Sequence, residues 1–150
     1  MNNLEERVQK LNDLITKNYD AEAGYKKAAE MVEDTQLKTF FNNQAKNRYD
    51  FGHALKDEIK MVGGEVDKGT SFKGDAHRAW MSVKDTFSSN DSKAILEEVI
   101  RGEETAVNEY QEILKEATLA PTTQQLLQDQ VASVQTALAD ARSLDAWEAK

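Results

Sequence analysis

The sequence predicts an all-α protein: a four-helix bundle of two antiparallel hairpins, joined by a long crossover that contains a short helix of its own. Three observations carry this expectation. Charged residues make up 31% of the 150 residues and are mostly helix formers, and a single proline interrupts the chain. Apolar residues recur at steps of three and four over long segments. Breaker residues cluster at only a few points, leaving two short links and one long one. A chain of 150 residues suits a single domain, 1–150, with one core.

The first helix is expected from Asn3 to about Val32, with Asn3 and Glu6 in capping-box positions. The second starts near Asp34 or Thr35 and stops at Gly63-Gly64. The stretch "GGEVDKGTSFKGD" that follows is rich in glycine and small polar residues, and "AHRAWMSVKDTF" reads as the short crossover helix. A third long helix begins after "SSND" and runs to about Ala117. Pro121 marks a break, and the fourth helix starts at Thr122 or Thr123 and ends near Trp147. Short links force antiparallel neighbours, whereas the long link between the second and third helices lets the chain return before the second hairpin begins.

Helical spacing places a ladder of residues on the inner face of each helix. In the first it is Leu4, Val8, Leu11, Ile15, Asn18, Glu22, Tyr25, Ala29 and Val32. In the second it is Leu37, Phe41, Gln44, Arg48, Phe51, Leu55, Ile59 and Val62. In the third it is Val99, Glu103, Ala106, Tyr110, Ile113 and Ala117, and in the fourth Leu127, Val131, Val134, Leu138 and Ala141. The ladder ends are apolar, but the middles of three are polar: Asn18 with Glu22, Gln44 with Arg48, and Glu103. The fourth ladder is apolar throughout. A lone buried charge costs several kcal/mol, so polar groups at one height on three helices are expected to satisfy one another. Arg48 supplies five donors, and Glu22 and Glu103 supply carboxylates. The expected site is therefore a core polar network of Asn18, Glu22, Gln44, Arg48 and Glu103.

The net charge of −8 disfavours nucleic acid and anionic lipid as partners. The chain has no cysteine, which removes disulfides, thiolate metal sites and cysteine nucleophiles. No apolar run approaches the roughly 20 residues that cross a bilayer, and "MNNLEERVQKL" lacks a signal-peptide core. The expected compartment is the cytoplasm. Gly63-Gly64 and Gly69 match no nucleotide-binding fingerprint.

A carboxylate di-metal bundle needs a glutamate on each of two helices and Glu-x-x-His on each of the other two. In the second helix the corresponding pair is Arg48 and Phe51, and in the fourth it is Gln135 and Leu138. His53 lies two residues past Phe51, about 200° round the helix, and so points away from the seam. His77, with Trp80 and Val83, reads as the docking face of the crossover helix. The alternative ligand set for an atypical metal centre is Glu22, Glu103, Glu104 and His53.

The crossover connectivity resembles the ferritin-like superfamily. In "GEETAVNEY", Glu103 precedes Tyr110 by seven, as in a ligand helix of rubrerythrin-type proteins, while the equivalent place before Tyr25 holds Asn18. A nearer resemblance rests on "NDLITKNYDAEAGYKKAAEMVEDTQLKTFF", "HALKDEIKMVGGE" and "GDAHRAWMSVKDTFSSNDSKAILEEVIRGEETAVNEYQEIL". These are similar to the DUF2383 family, bacterial ferritin-like four-helix-bundle proteins of uncharacterised activity. Its most distinctive parts here are His77-Arg78-x-Trp80 and the run Arg101-Gly102-Glu103-Glu104, and the similarity extends from about Leu11 to Arg142. The resemblance implies the fold and a bacterial source, with no reaction to carry over. Where such sequences often place a histidine near the end of the fourth helix, this chain has Leu138.

The expected function is non-enzymatic, with no cofactor, acting through the surface or by self-association. A homo-oligomer is the candidate partner, with Phe40 of "TFF" as a candidate dimer contact. A stress-response role is implied by the wider superfamily alone. The rival class is a metal-binding or redox bundle. An apolar-ligand carrier ranks third, because Phe40, Phe41, Phe51 and the two tryptophans read as core or docking residues.

Overall fold

The computed structural model describes residues 3–67, 91–116 and 118–148. Within them stand four helices: α1 (Asn3–Met31), α2 (Thr35–Met61), α3 (Ser92–Glu116) and α4 (Pro121–Glu148), with no strand among the described residues. The short helix expected in the crossover, with His77, Trp80 and Val83, lies outside the described residues, as does Ala117.

Local chemistry sets the helix ends. Asp34 caps α2, its Oδ1 accepting from the backbone N–H of Leu37 at 2.9 Å. Asp91 does the same for α3, accepting from Lys93 N–H at 3.0 Å. At the far end of α2, Gly64 N–H bonds back to Ile59 and Gly63 N–H to Lys60, with Gly63 at φ 88°. That pairing is a Schellman stop, and its left-handed residue favours glycine. Pro121 was expected to break the chain before α4; instead it is the first helical residue. Proline suits that position because the first N–H of a helix has no intrahelical partner.

The cross-helix hydrogen bonds give the topology. Asn18 meets Tyr110, and seven residues further along α1, Tyr25 meets Glu103, seven residues back along α3. α1 and α3 are therefore antiparallel. Likewise Gln130 meets Phe51 while Thr123 meets Glu58, so α2 and α4 are antiparallel. The three-residue link between α1 and α2 makes those two antiparallel as well. It follows that α2 and α3 run parallel, and that Met61 and Ser92 stand at opposite ends of the bundle.

Two apolar clusters fill the ends. One joins Tyr25, Ala28, Leu37, Phe41, Ile95, Val99 and Ala141. The other joins Leu11, Ile15, Leu55, Ile59, Tyr110, Leu127 and Val134. Burying each large side chain contributes about 1.5–3 kcal/mol, so these clusters supply most of the driving force. The predicted ladders hold along most of their length, but Leu4, Val8, Phe51 and Val62 are only partly buried. Phe40, expected to be exposed as a candidate dimer contact, is partly buried. It packs against the first cluster, edge-on to Tyr25 at 6.4 Å. Trp147 departs from the expected core or docking role, being 69% exposed.

Asn12, outside the predicted ladder, is buried. Its amide donates to the Glu65 carbonyl at 3.1 Å and its Oδ1 accepts from Asp67 N–H at 3.0 Å, fastening the segment after α2 to α1.

At Gly52 the Tyr19 side chain of α1 lies against the backbone of α2. A Cβ there would lie 2.3 Å from Cε1 of Tyr19. In a helix, alanine is favoured over glycine by about 1 kcal/mol. Gly52→Ala should therefore stabilise the protein by about 1 kcal/mol in a Tyr19→Ala background but not in the native one. Urea unfolding of the four members of this cycle measures the difference; equal effects in both backgrounds would refute the contact.

Candidate functional site

At mid-height, between the two apolar clusters, the bundle is polar. Arg48 of α2 is 2% exposed and Glu103 of α3 is fully buried. Arg48 Nη1 donates to Glu103 Oε1 at 2.5 Å. Arg48 Nε donates to Asn18 Oδ1 of α1 at 2.6 Å. The Asn18 amide donates both to the Leu14 carbonyl and to the Tyr110 hydroxyl, each at 2.9 Å. Tyr110 in turn donates to Gln130 Oε1 of α4 at 2.6 Å, and Gln130 Nε2 donates to the Phe51 carbonyl at 3.2 Å. On the other side, Tyr25 donates to Glu103 Oε2 at 2.7 Å. One continuous chain of hydrogen bonds thus links all four helices.

Of the five residues expected here, the structure brings together Asn18, Arg48 and Glu103. Glu22 does not join them. Its carboxylate pairs with Lys26 Nζ, one turn along the same helix, at 2.9 Å. Gln44 is only partly buried, and Ala45 takes the inward place beside it. The fourth helix is not apolar throughout: Gln130 is 3% exposed and closes the chain. It sits one residue before Val131 and so fell outside the predicted ladder. Nothing in the spacing sets it apart from Gln128 and Gln135, which also adjoin ladder residues of this helix. Tyr25 and Tyr110 were legible as core residues, but their hydroxyls as network members were not. Another buried group missed in the sequence is Asp20, whose carboxyl is pushed by burial up to about 7.

The electrostatics follow from burial. Desolvation alone would lower the Arg48 guanidinium, but the Glu103 carboxylate, with Tyr110 and Tyr25, raises it above its ordinary value. Burial first, then the neighbouring Glu103, hold the Tyr25 hydroxyl well above the usual tyrosine range, against the pull of Arg48. Tyr110 is raised by burial to about 12, although Arg48 and the Asn18 hydrogen bond oppose it.

The donor set does not fit a di-metal centre. A guanidinium, which keeps its charge, stands where a cation would be held, and repels one. Both oxygens of Glu103 are engaged, one by Arg48 and one by Tyr25. The side-chain oxygens of Asn18 and Gln130 each already accept a hydrogen bond. The alternative ligands are not assembled either. Glu104 is exposed and paired with Arg142 at 2.6 Å, and His53 is exposed, edge-on to Tyr49 at 4.4 Å. Among the described residues no three His, Cys, Asp or Glu stand where they could hold one ion.

Removing one member of a buried pair strands the other charge. Arg48→Met should lower the unfolding free energy by about 3–5 kcal/mol in urea titrations. Adding Glu103→Leu should restore part of the loss; a single-variant loss below about 1 kcal/mol would contradict the buried pair. The tyrosines make a second prediction. Their protons are held more tightly in the folded chain than in the unfolded one. Their contribution to stability is complete below pH 10.0 and is lost as pH rises from there through about 12 for Tyr110. Alkaline titration should therefore show Tyr25 and Tyr110 ionising together with loss of helical circular dichroism. Ionisation of both near pH 10.0 in an intact bundle would contradict the network.

A search of curated proteins gives no match. The family described as "Domain of unknown function (DUF2383)" matches residues 6–116, which covers almost all of α1 and the whole of α2 and α3 and stops before α4. That match spans well over half of the sequence, and the chain belongs to the DUF2383 family.

Proposed function

We propose that this protein is a ferritin-like bundle that has replaced a metal centre with an internal ion pair, carries out no catalysis at that centre, and acts through its outer surface or by self-association. The observation that supports this most directly is the Arg48–Glu103 pair, around which Asn18, Tyr25, Tyr110 and Gln130 bond the pair or one another at 2.5–2.9 Å. A reacting centre needs a group held ready for a substrate, whereas here donors and acceptors are engaged with one another. The ferritin-like reading draws on the parallel placement of α2 and α3, the direction that a long crossover produces in that superfamily. A bacterial source is what the family resemblance implies, a stress-response role is what the wider superfamily implies, and the cytoplasm is the compartment expected.

Metal analysis tests this reading. Protein produced in iron- and manganese-supplemented medium and then dialysed exhaustively should retain well below one ion per chain. Retention of one or two ions per chain, with thermal stability falling on chelation, would overturn it.

A further inference from the structure

The outer face of the α1–α2 hairpin carries a groove lined by three aromatic rings and two lysines. Its cavity is about 530 Å³, within the size range of small-molecule sites. Tyr19 forms the floor. Its ring is 9% exposed and lies over Gly52, the one residue type that leaves room for it there. Tyr49 and His53 form a wall, their rings 4.4 Å apart at 70°, and each stands 6.2 Å from the Tyr19 ring. Tyr49 is 45% exposed, so its ring offers a face to a ligand.

Two lysines line the same groove. Lys56 Nζ lies 4.8 Å from the Tyr19 ring centroid, held by cation–π attraction. Lys26 Nζ pairs with Glu22, but its side chain is 62% exposed and can turn toward an incoming anion. The groove therefore carries two ammonium groups against one carboxylate, on a chain whose net charge is −8. The Tyr19, Tyr49 and His53 rings favour a flat aromatic guest, and the local excess of positive charge favours an anion and opposes a cation.

We propose that this groove binds a small planar aromatic anion, one or two rings bearing a carboxylate, sulfonate or phosphate. The ring packs against Tyr49 over the Tyr19 floor, and the acidic group meets Lys56 and Lys26. The proposal stands apart from the metal-free reading of the centre, because metal retention neither supports nor weakens it.

The test is a fluorescence titration of the full chain with anilinonaphthalene sulfonate. Phenylnaphthylamine serves as the uncharged counterpart and inorganic phosphate as an anion without rings. The sulfonate should saturate at one molecule per chain, and both comparison compounds should bind much more weakly. Tyr49→Ala and Lys56→Gln, both away from the bundle centre, should keep the helical spectrum and each weaken sulfonate binding by about tenfold. Absence of saturable binding would overturn the proposal. So would unchanged affinity in both variants, or equal affinity for the uncharged counterpart, which would mark a merely apolar patch.

Discussion

The pairing of Arg48 with Glu103 constrains everything around it. Neither charge has access to water, so each must find in the protein what water would supply. The carboxylate is satisfied by Arg48 on one oxygen and Tyr25 on the other. The guanidinium needs a further acceptor and takes Asn18. That commits the Asn18 amide to Tyr110, and Tyr110 to Gln130. Each step is forced by the one before, because an unmet buried donor or acceptor costs about 1–3 kcal/mol. The pair is thus less a source of net stability than a demand that four helices adopt one register. A well-packed apolar replacement would stabilise a bundle at least as well.

That register bears on topology. Apolar ladders tolerate sliding and alternative neighbours, since one leucine packs much like another. Hydrogen-bond geometry does not. Asn18 with Tyr110 and Tyr25 with Glu103 fit only if α1 and α3 are antiparallel and aligned within a turn. Gln130 on Phe51 and Thr123 on Glu58 impose the same on α2 and α4. Both sets step by seven residues, two helical turns, so the two inter-hairpin seams are in phase. Within each hairpin the helices pack along their length, while across the hairpins the two apolar clusters supply the burial and the polar bonds fix the register. This division gives the centre a role in specificity that needs no ligand.

The sequence reveals the fold because helical periodicity and chain breakers are local properties. Capping by Asp34 and the Gly63-Gly64 stop need no tertiary knowledge. The buried centre was partly legible for a different reason: polar residues at one height on three ladders cannot all be accommodated singly. Spacing alone, however, does not distinguish a residue on the seam from one at its margin. Glu22 is on the ladder, yet Lys26 lies one turn away and draws its carboxylate outward. Gln130 is off the ladder, yet its long side chain reaches Tyr110 and Phe51. Side-chain reach and the competition of an adjacent surface charge are decided in three dimensions, and the one-dimensional pattern holds neither. The match to the family ends at residue 116, before Gln130.

The two faces of α2 show where chemistry remains open. Arg48 points into the bundle, where it bonds Glu103 and Asn18. Five residues on, His53 is on the opposite side of the same helix, about 140° away, beside Tyr49. Gly52 lies between them in the chain and lets α1 come close enough for Tyr19 to line the outer face. The inward face at Arg48 is buried and engaged with protein groups. The outward face brings Tyr49, His53 and Lys56 to a groove that Tyr19, Glu22 and Lys26 of α1 complete. A helix whose inner residues are closed to ligands and whose outer residues are arranged around a cavity favours recognition at the surface. The histidine that falls out of step with a metal motif is then in step with that groove, and its displacement from the seam places it in an aromatic wall.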